Sequence, residues 1–351
     1  MPKNCLYLVS SSANREYVLD CVEALALPRG MILHFRYRFK YVDEKLRASL
    51  PSEGGTLPAA LRNLPVVVVY LYQVQTIGVW KPGDTMGPGG PYLPLRCGRL
   101  INAFKDGEIA HFFFELTGYV KPKYRRRSTR VSLNEKIKFR VARGKAAPVS
   151  YAHFSHDLGF EGERASDEVA FQSIVDDAYL PGEWRTRSLG SAPLDVTYEV
   201  VFLRVAGLFQ ERTAGLAEVA PVLRIVRGNS FAEYELEADT TYHIKLVTHL
   251  SARIPAAIPG KGRAMLRLAF DPEYIKPIGP TSLRISSLYD LEYWSFVTKT
   301  STTARSALSI TCDYDPVVEP RDFVRSELLC PEVSLPISIV AAKGPTQRGK
   351  K

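Results

Sequence analysis

Between residues 33 and 41 the chain alternates without a break: Leu33, Phe35, Tyr37, Phe39 and Tyr41 are separated by His34, Arg36, Arg38 and Lys40. A two-residue period lets a strand bury one face and wet the other, and no helix can use it. The same pattern recurs along much of the sequence. Pro65 opens a β-branched and aromatic run, 66–72, with no polar face, as expected of a central strand covered on both sides. Runs at 95–104 and 109–120 flank Asp106-Gly107, a hairpin signal. Val131, Leu133, Ile137, Phe139 and Val141 alternate with polar residues in the same way. Later come short β-like runs at about 196–206, 222–226, 231–236, 242–250, 265–270, 283–288, 293–298, 307–312 and 333–341. Many short strands with Gly and Pro turns predict a mainly β chain, all-β or β-rich α+β, built from two sandwich- or barrel-like domains with a few short helices.

A helix is expected over 14–27, where Val18, Val22 and Leu25 share a face and Pro28 and Gly30 stop it. A second is expected over 166–179. At 351 residues the chain exceeds the usual size of one core, so it divides naturally. The expected division is an N-terminal β-rich domain at 1–145, an irregular connector at 146–193, a sandwich-like domain at 194–341 and a disordered basic tail at 342–351. The segment 81–91, with four glycines and three prolines, reads as a loop.

The five cysteines form no CxxC pair and their odd number does not describe a disulfide framework, which fits a reducing compartment. No apolar stretch is long enough for a signal-peptide core or a membrane span. The expectation is a soluble, cytoplasmic protein without membrane contact.

Charge is the strongest pointer to a partner. Residues 121–145 hold eleven cations (Lys121, Lys123, Arg125, Arg126, Arg127, Arg130, Lys136, Lys138, Arg140, Arg143 and Lys145) against the single acid Glu135. The formal net charge of the whole chain is +9, so the remainder is close to neutral. Arginine clusters suit phosphate oxygens, and each neutralised phosphate releases counterions. Lys136, Lys138 and Arg140 would share one strand face, as Arg36, Arg38 and Lys40 do. If those two strands paired, the like charges would call for an anionic cover. A solvated charged loop that discourages edge pairing is the plainer account of the same residues.

Catalytic signatures are absent: there is no GxSxG elbow, phosphate-binding GxxxxGK[ST] loop, GxGxxG or HExxH. His153, His156 and Asp157 form the one grouping with metal-ligand residue types, but they lack a third His or Cys, and the segment reads as a surface loop. His243 and His249 fall about 20 Å apart on one strand, too far to share an ion. Acidic pairs such as Asp176-Asp177 read as exposed. No cofactor is expected.

These features point to a non-catalytic binding or sensor subunit of a multi-protein system, engaging nucleic acid or another polyanion through its backbone. The biological setting imagined is an accessory role in a prokaryotic defence assembly, although no residue carries that last step. The alternatives are an adaptor that binds an acidic protein partner, and a metal-dependent hydrolase centred on His153, His156 and Asp157.

Overall fold

The computed structural model describes residues 4–11, 15–71, 92–120, 140–142, 145–147, 151–156, 166–175, 184–187, 195–226, 229–250, 265–284, 289–299, 304–313, 325–329 and 332–341. The chain is mainly β. Among the described residues there are three large sheets of six, seven and six strands, a two-stranded ribbon and three α-helices.

The first sheet is built from β1 (Asn4–Ser11), β2 (Ile32–Arg38), β3 (Pro65–Leu71), β4 (Tyr92–Asp106) and β5 (Ile109–Tyr119). Helix α1 (Arg15–Ala26) follows β1, and the short α2 (Glu44–Arg47) follows β2. A ribbon of β6 (Arg140–Ala142) and β7 (Lys145–Ala147) precedes β8 (Ala152–His156), and the sheet runs β2-β5-β4-β3-β1-β8. β1 and β3 are parallel, and every other pairing in the sheet is antiparallel. Cys5, Leu6, Tyr7, Leu8 and Val9 are at most 2% exposed, which explains why β1 has no polar face.

The expected strand over 33–41 ends at Arg38. Phe39–Tyr41 is instead a 3₁₀ turn, opened by the Phe39 N–H donating to the Glu108 carbonyl at 2.7 Å. The turn redirects the chain to the far edge of the sheet. There Tyr151 N–H donates to the Tyr41 carbonyl at 2.7 Å, and Asp43 N–H to the Ala152 carbonyl at 2.9 Å. Val42 and Ala152 form an isolated bridge there, so the chain just beyond β2 meets β8 although the two strands do not pair, and the curled sheet is barrel-like rather than closed. Leu6, Leu8, Phe35, Val68, Phe112 and Phe114 are buried in its core. Each buried aromatic contributes roughly 1.5–3 kcal/mol by leaving water.

The rest of the chain supplies α3 (Asp167–Val175), β9 (Trp184–Arg187), β10 (Asp195–Arg212), β11 (Gly215–Val219), β12 (Val222–Val226), β13 (Asn229–Glu237) and β14 (Thr241–Leu250). It continues with β15 (Met265–Ala269), β16 (Ile275–Ile278), β17 (Ser282–Arg284), β18 (Tyr289–Thr298), β19 (Ala304–Asp313), β20 (Arg325–Leu329) and β21 (Val333–Val340). The second sheet runs β11-β10-β14-β18-β16, with β9 and β20 also paired to β10, and the third runs β12-β13-β21-β19-β15-β17. Ile244, Leu246 and Phe296 of one sheet share a core with Tyr234, Leu308 and Leu335 of the other, giving a sandwich.

Strand β10 is covered on both faces. Leu203 and Val205 enter the large core, whereas Phe202 joins a second one with Val18, Val22 and Leu25 of α1 and Phe171 and Ile174 of α3. Tyr70 and Tyr119 of the first sheet belong to this second core too, so the two helices pack between the first sheet and one face of β10, while the first sheet and the sandwich also share the large core directly. The approach is close at Gly30, where a Cβ would lie 2.7 Å from Pro221 Cγ and where φ is +81°, a value that favours glycine. No helix among the described residues is long and apolar enough to cross a membrane.

Candidate functional site

Of the cations expected to meet a polyanion, Arg36, Arg38 and Lys40 are described with their surroundings. Lys121, Lys123, Arg125, Arg126, Arg127, Arg130, Lys136 and Lys138 lie outside the described residues, and Arg140 begins β6. Residues 136–139 of the expected second basic strand lie outside the described residues. Among the described residues the partner of β2 is β5, with Arg36 opposite His111 and Arg38 opposite Ile109.

The alternation of β2 sets the local geometry. Leu33 and Phe35 turn into the barrel, which leaves His34, Arg36 and Arg38 exposed on the other face. Where the chain then turns, a cavity of about 260 Å³ opens between β2, the end of β1, the first turns of α1 and Tyr151. Arg36 and Arg38 line it together with Tyr17, Tyr41, Tyr151 and Asp20. Tyr41 and Tyr151 meet edge to face at 5.6 Å between ring centres, and Lys40 Nζ stands 5.0 Å from the Tyr41 ring centre. Tyr17 is 46% exposed. The floor is fixed by Tyr37, whose hydroxyl donates to the Val9 carbonyl at 3.2 Å.

Two acids lie along the same stretch of α1. Ser10 Oγ donates to the Tyr17 carbonyl at 2.8 Å and lies 3.5 Å from Asp20 Oδ2. Burial pushes the Asp20 carboxyl up to about 6, against the opposing pull of the Ser10 hydroxyl and the Arg36 charge. Burial, helped by the Asp20 charge, raises Glu23 to about 7. On the outer face of β2, His34 stacks on Phe113 at 4.1 Å, and its Nε2 sits 2.9 Å from His111 Nδ1. Desolvation against the stacked rings, although an edge of His34 remains exposed, and then the neighbouring His111 and Arg36 lower His34 to about 4.

The grouping of His153, His156 and Asp157 is not a loop where it is described. His153 and His156 lie in β8, hydrogen-bonded along β1, because β1 is an interior strand and needs a second neighbour. Three residues apart on a strand, the two positions fall on opposite faces of the sheet. Asp157 lies outside the described residues. No group of three or more His, Cys, Asp or Glu suited to a metal occurs among the described residues. His243, on β14, pairs its Nδ1 with Ser295 Oγ at 2.7 Å, a polar contact across neighbouring strands.

Sequence reasoning identified the cations of this cavity and missed Tyr17, Asp20 and Tyr151, which lie far from β2 in sequence. Compared with known proteins, the chain matches no protein-family model, and no curated protein aligns with it.

Proposed function

We propose that the protein is a non-catalytic binding subunit that holds single-stranded nucleic acid by its phosphate backbone, with the cavity beside β2 as the contact site. The observation that carries this reading is the convergence of Arg36 and Arg38 with Tyr17, Tyr41 and Tyr151 on one cavity. Cations that track phosphates beside aromatic rings that stack on bases are the two requirements for holding a single strand without sequence preference. Lys40 extends the positive edge, and the cluster at 121–130 supplies further charge in the same chain.

The test is an anisotropy titration of a labelled oligothymidylate at about 50 and about 200 mM salt. Arg36→Ala with Arg38→Ala should weaken binding and reduce the slope of log affinity against log salt by about 1.4, at about 0.7 per phosphate contact. Tyr41→Ala should weaken binding by about 1–3 kcal/mol at either salt concentration if a base stacks there. Affinity and slope unchanged in the double variant would remove the site.

A further inference from the structure

We propose that a second cavity, walled by Arg29, Arg96 and Arg204 where the barrel meets β10, binds a phosphoryl group. The cavity has a volume of about 360 Å³ and lies past the C-terminal end of α1, whereas the cavity beside β2 lies at its N-terminal turns. Different residues form it, and the inference is independent of the nucleic-acid reading.

Arg96, on β4, carries the argument. It is 0% exposed, and its Nε, Nη1 and Nη2 are all buried without a hydrogen-bond acceptor. Its guanidinium carbon lies 3.8 Å from the Tyr119 ring centre, and that of Arg204, a residue 8% exposed, lies 5.5 Å from the same centre. The Tyr119 hydroxyl already donates to the Leu25 carbonyl at 2.6 Å. A guanidinium cannot lose its proton to escape the penalty of burial. A ring face offsets only part of that penalty, which for an unpaired buried charge exceeds what cation–π contact returns.

Neither acid in the wall is hydrogen-bonded to Arg96. Asp167, at the start of α3, is engaged by Arg29 through both Nε and Nη2, the second at 2.7 Å. Glu218, the other acid of the lining, is exposed on β11. Three cations therefore face two carboxylates of the lining, and the most deeply buried cation, although it feels the Asp167 charge, has no hydrogen-bonded anion among the described residues. A phosphoryl group brings up to two negative charges and three acceptor oxygens, which two arginine forks can share. The volume exceeds that of phosphate alone and falls at the lower end of small-ligand cavities, leaving room for a body attached to the phosphoryl group.

The test is isothermal titration of the full chain, at constant ionic strength set with chloride, using inorganic phosphate in one arm and adenosine 5′-monophosphate in the other. Saturable binding in either arm is expected, with tighter monophosphate binding identifying a nucleotide-type ligand and tighter phosphate binding a free oxyanion. Binding should be lost in Arg96→Met and weakened about tenfold or more in Arg204→Gln, the loss expected for one charge-assisted hydrogen bond. Arg36→Ala with Arg38→Ala should leave it unchanged, which separates this site from the one beside β2. Should Arg96→Met fail to fold, Arg204→Gln, at the rim of the buried region, carries the comparison. No saturable binding to the wild-type chain in either arm, or binding unaffected by Arg204→Gln, overturns the proposal.

Discussion

Replacing Glu23 with Gln should stabilise the protein at alkaline pH and leave it unchanged in acid. Glu23 sits one helical turn after Asp20 on α1, and burial together with the Asp20 charge raises its carboxyl from 4.5 to about 7. An acid whose folded affinity for the proton exceeds its unfolded affinity favours the native state fully below the unfolded value. That contribution fades as pH rises through the folded value. For Glu23 the window runs from about 4.5 to about 7. At about 1.4 kcal/mol per tenfold change in proton affinity, the ceiling is about 3 kcal/mol. The side chain is only partly buried, and solvent screening lowers this to about 1–2 kcal/mol.

Gln keeps the shape of Glu23 and cannot ionise. Urea unfolding followed by far-UV circular dichroism should therefore give coincident midpoints for the two chains near pH 4.5. Near pH 8 the variant should be the more resistant, by about 1–2 kcal/mol. His34 titrates identically in both chains and cancels in the difference. A variant that parallels the wild type at every pH, or that is equally destabilised at both, would show that the Glu23 carboxylate is solvated and that the reasoning fails.

Other perturbations have equally definite outcomes. His34→Gln should flatten the acid limb of stability between pH 6.5 and about 4, because the wild-type ring resists protonation in the fold and accepts it in the unfolded chain; melting temperatures across that range are the measurement. Gly98→Ala should destabilise by about 1–3 kcal/mol in urea unfolding, since its Cβ would lie 2.8 Å from the Glu115 carbonyl oxygen and 3.0 Å from Phe114 Cδ2, with backbone on one side that cannot yield. Phe112→Ala should cost about 3–5 kcal/mol by the same measurement, as its side chain is fully buried in the barrel core.

The strands that were legible in the sequence are those whose burial repeats with a simple period. Residues 33–38 alternate because one face of β2 meets the barrel core, and 66–71 do not alternate because β3 is enclosed on both sides. Helix α1 showed its apolar stripe and its Pro28-Gly30 stop. The short outer strands were not legible: β8 alternates weakly, and what makes it a strand is the edge of β1 beside it. The 3₁₀ turn at 39–41 continues the strand period in its side chains, so only the hydrogen bond to Glu108 distinguishes it.

Within the candidate sites, charge was visible and context was not. Arg36, Arg38 and Lys40 stood out as a basic strand face, but the Tyr17 and Asp20 beside Arg36 and Arg38 arrive on α1, and Tyr151 arrives where its N–H bonds the Tyr41 carbonyl. Arg96 and Arg204 were overlooked, although each is a cation set among apolar residues in a strand, which is the pattern a buried arginine leaves in a sequence. The sequence by itself determined the β character, the helix between β1 and β2, and the excess of positive charge, because periodicity and composition are local properties. Only the tertiary structure decided that the two ends of the first sheet meet at Val42 and Ala152, that β10 is covered by the helices on one face, and that two arginines from different sheets flank one tyrosine. Those juxtapositions join residues as distant in sequence as Val18 and Phe202, and no short-range pattern encodes which distant strand a buried face will meet.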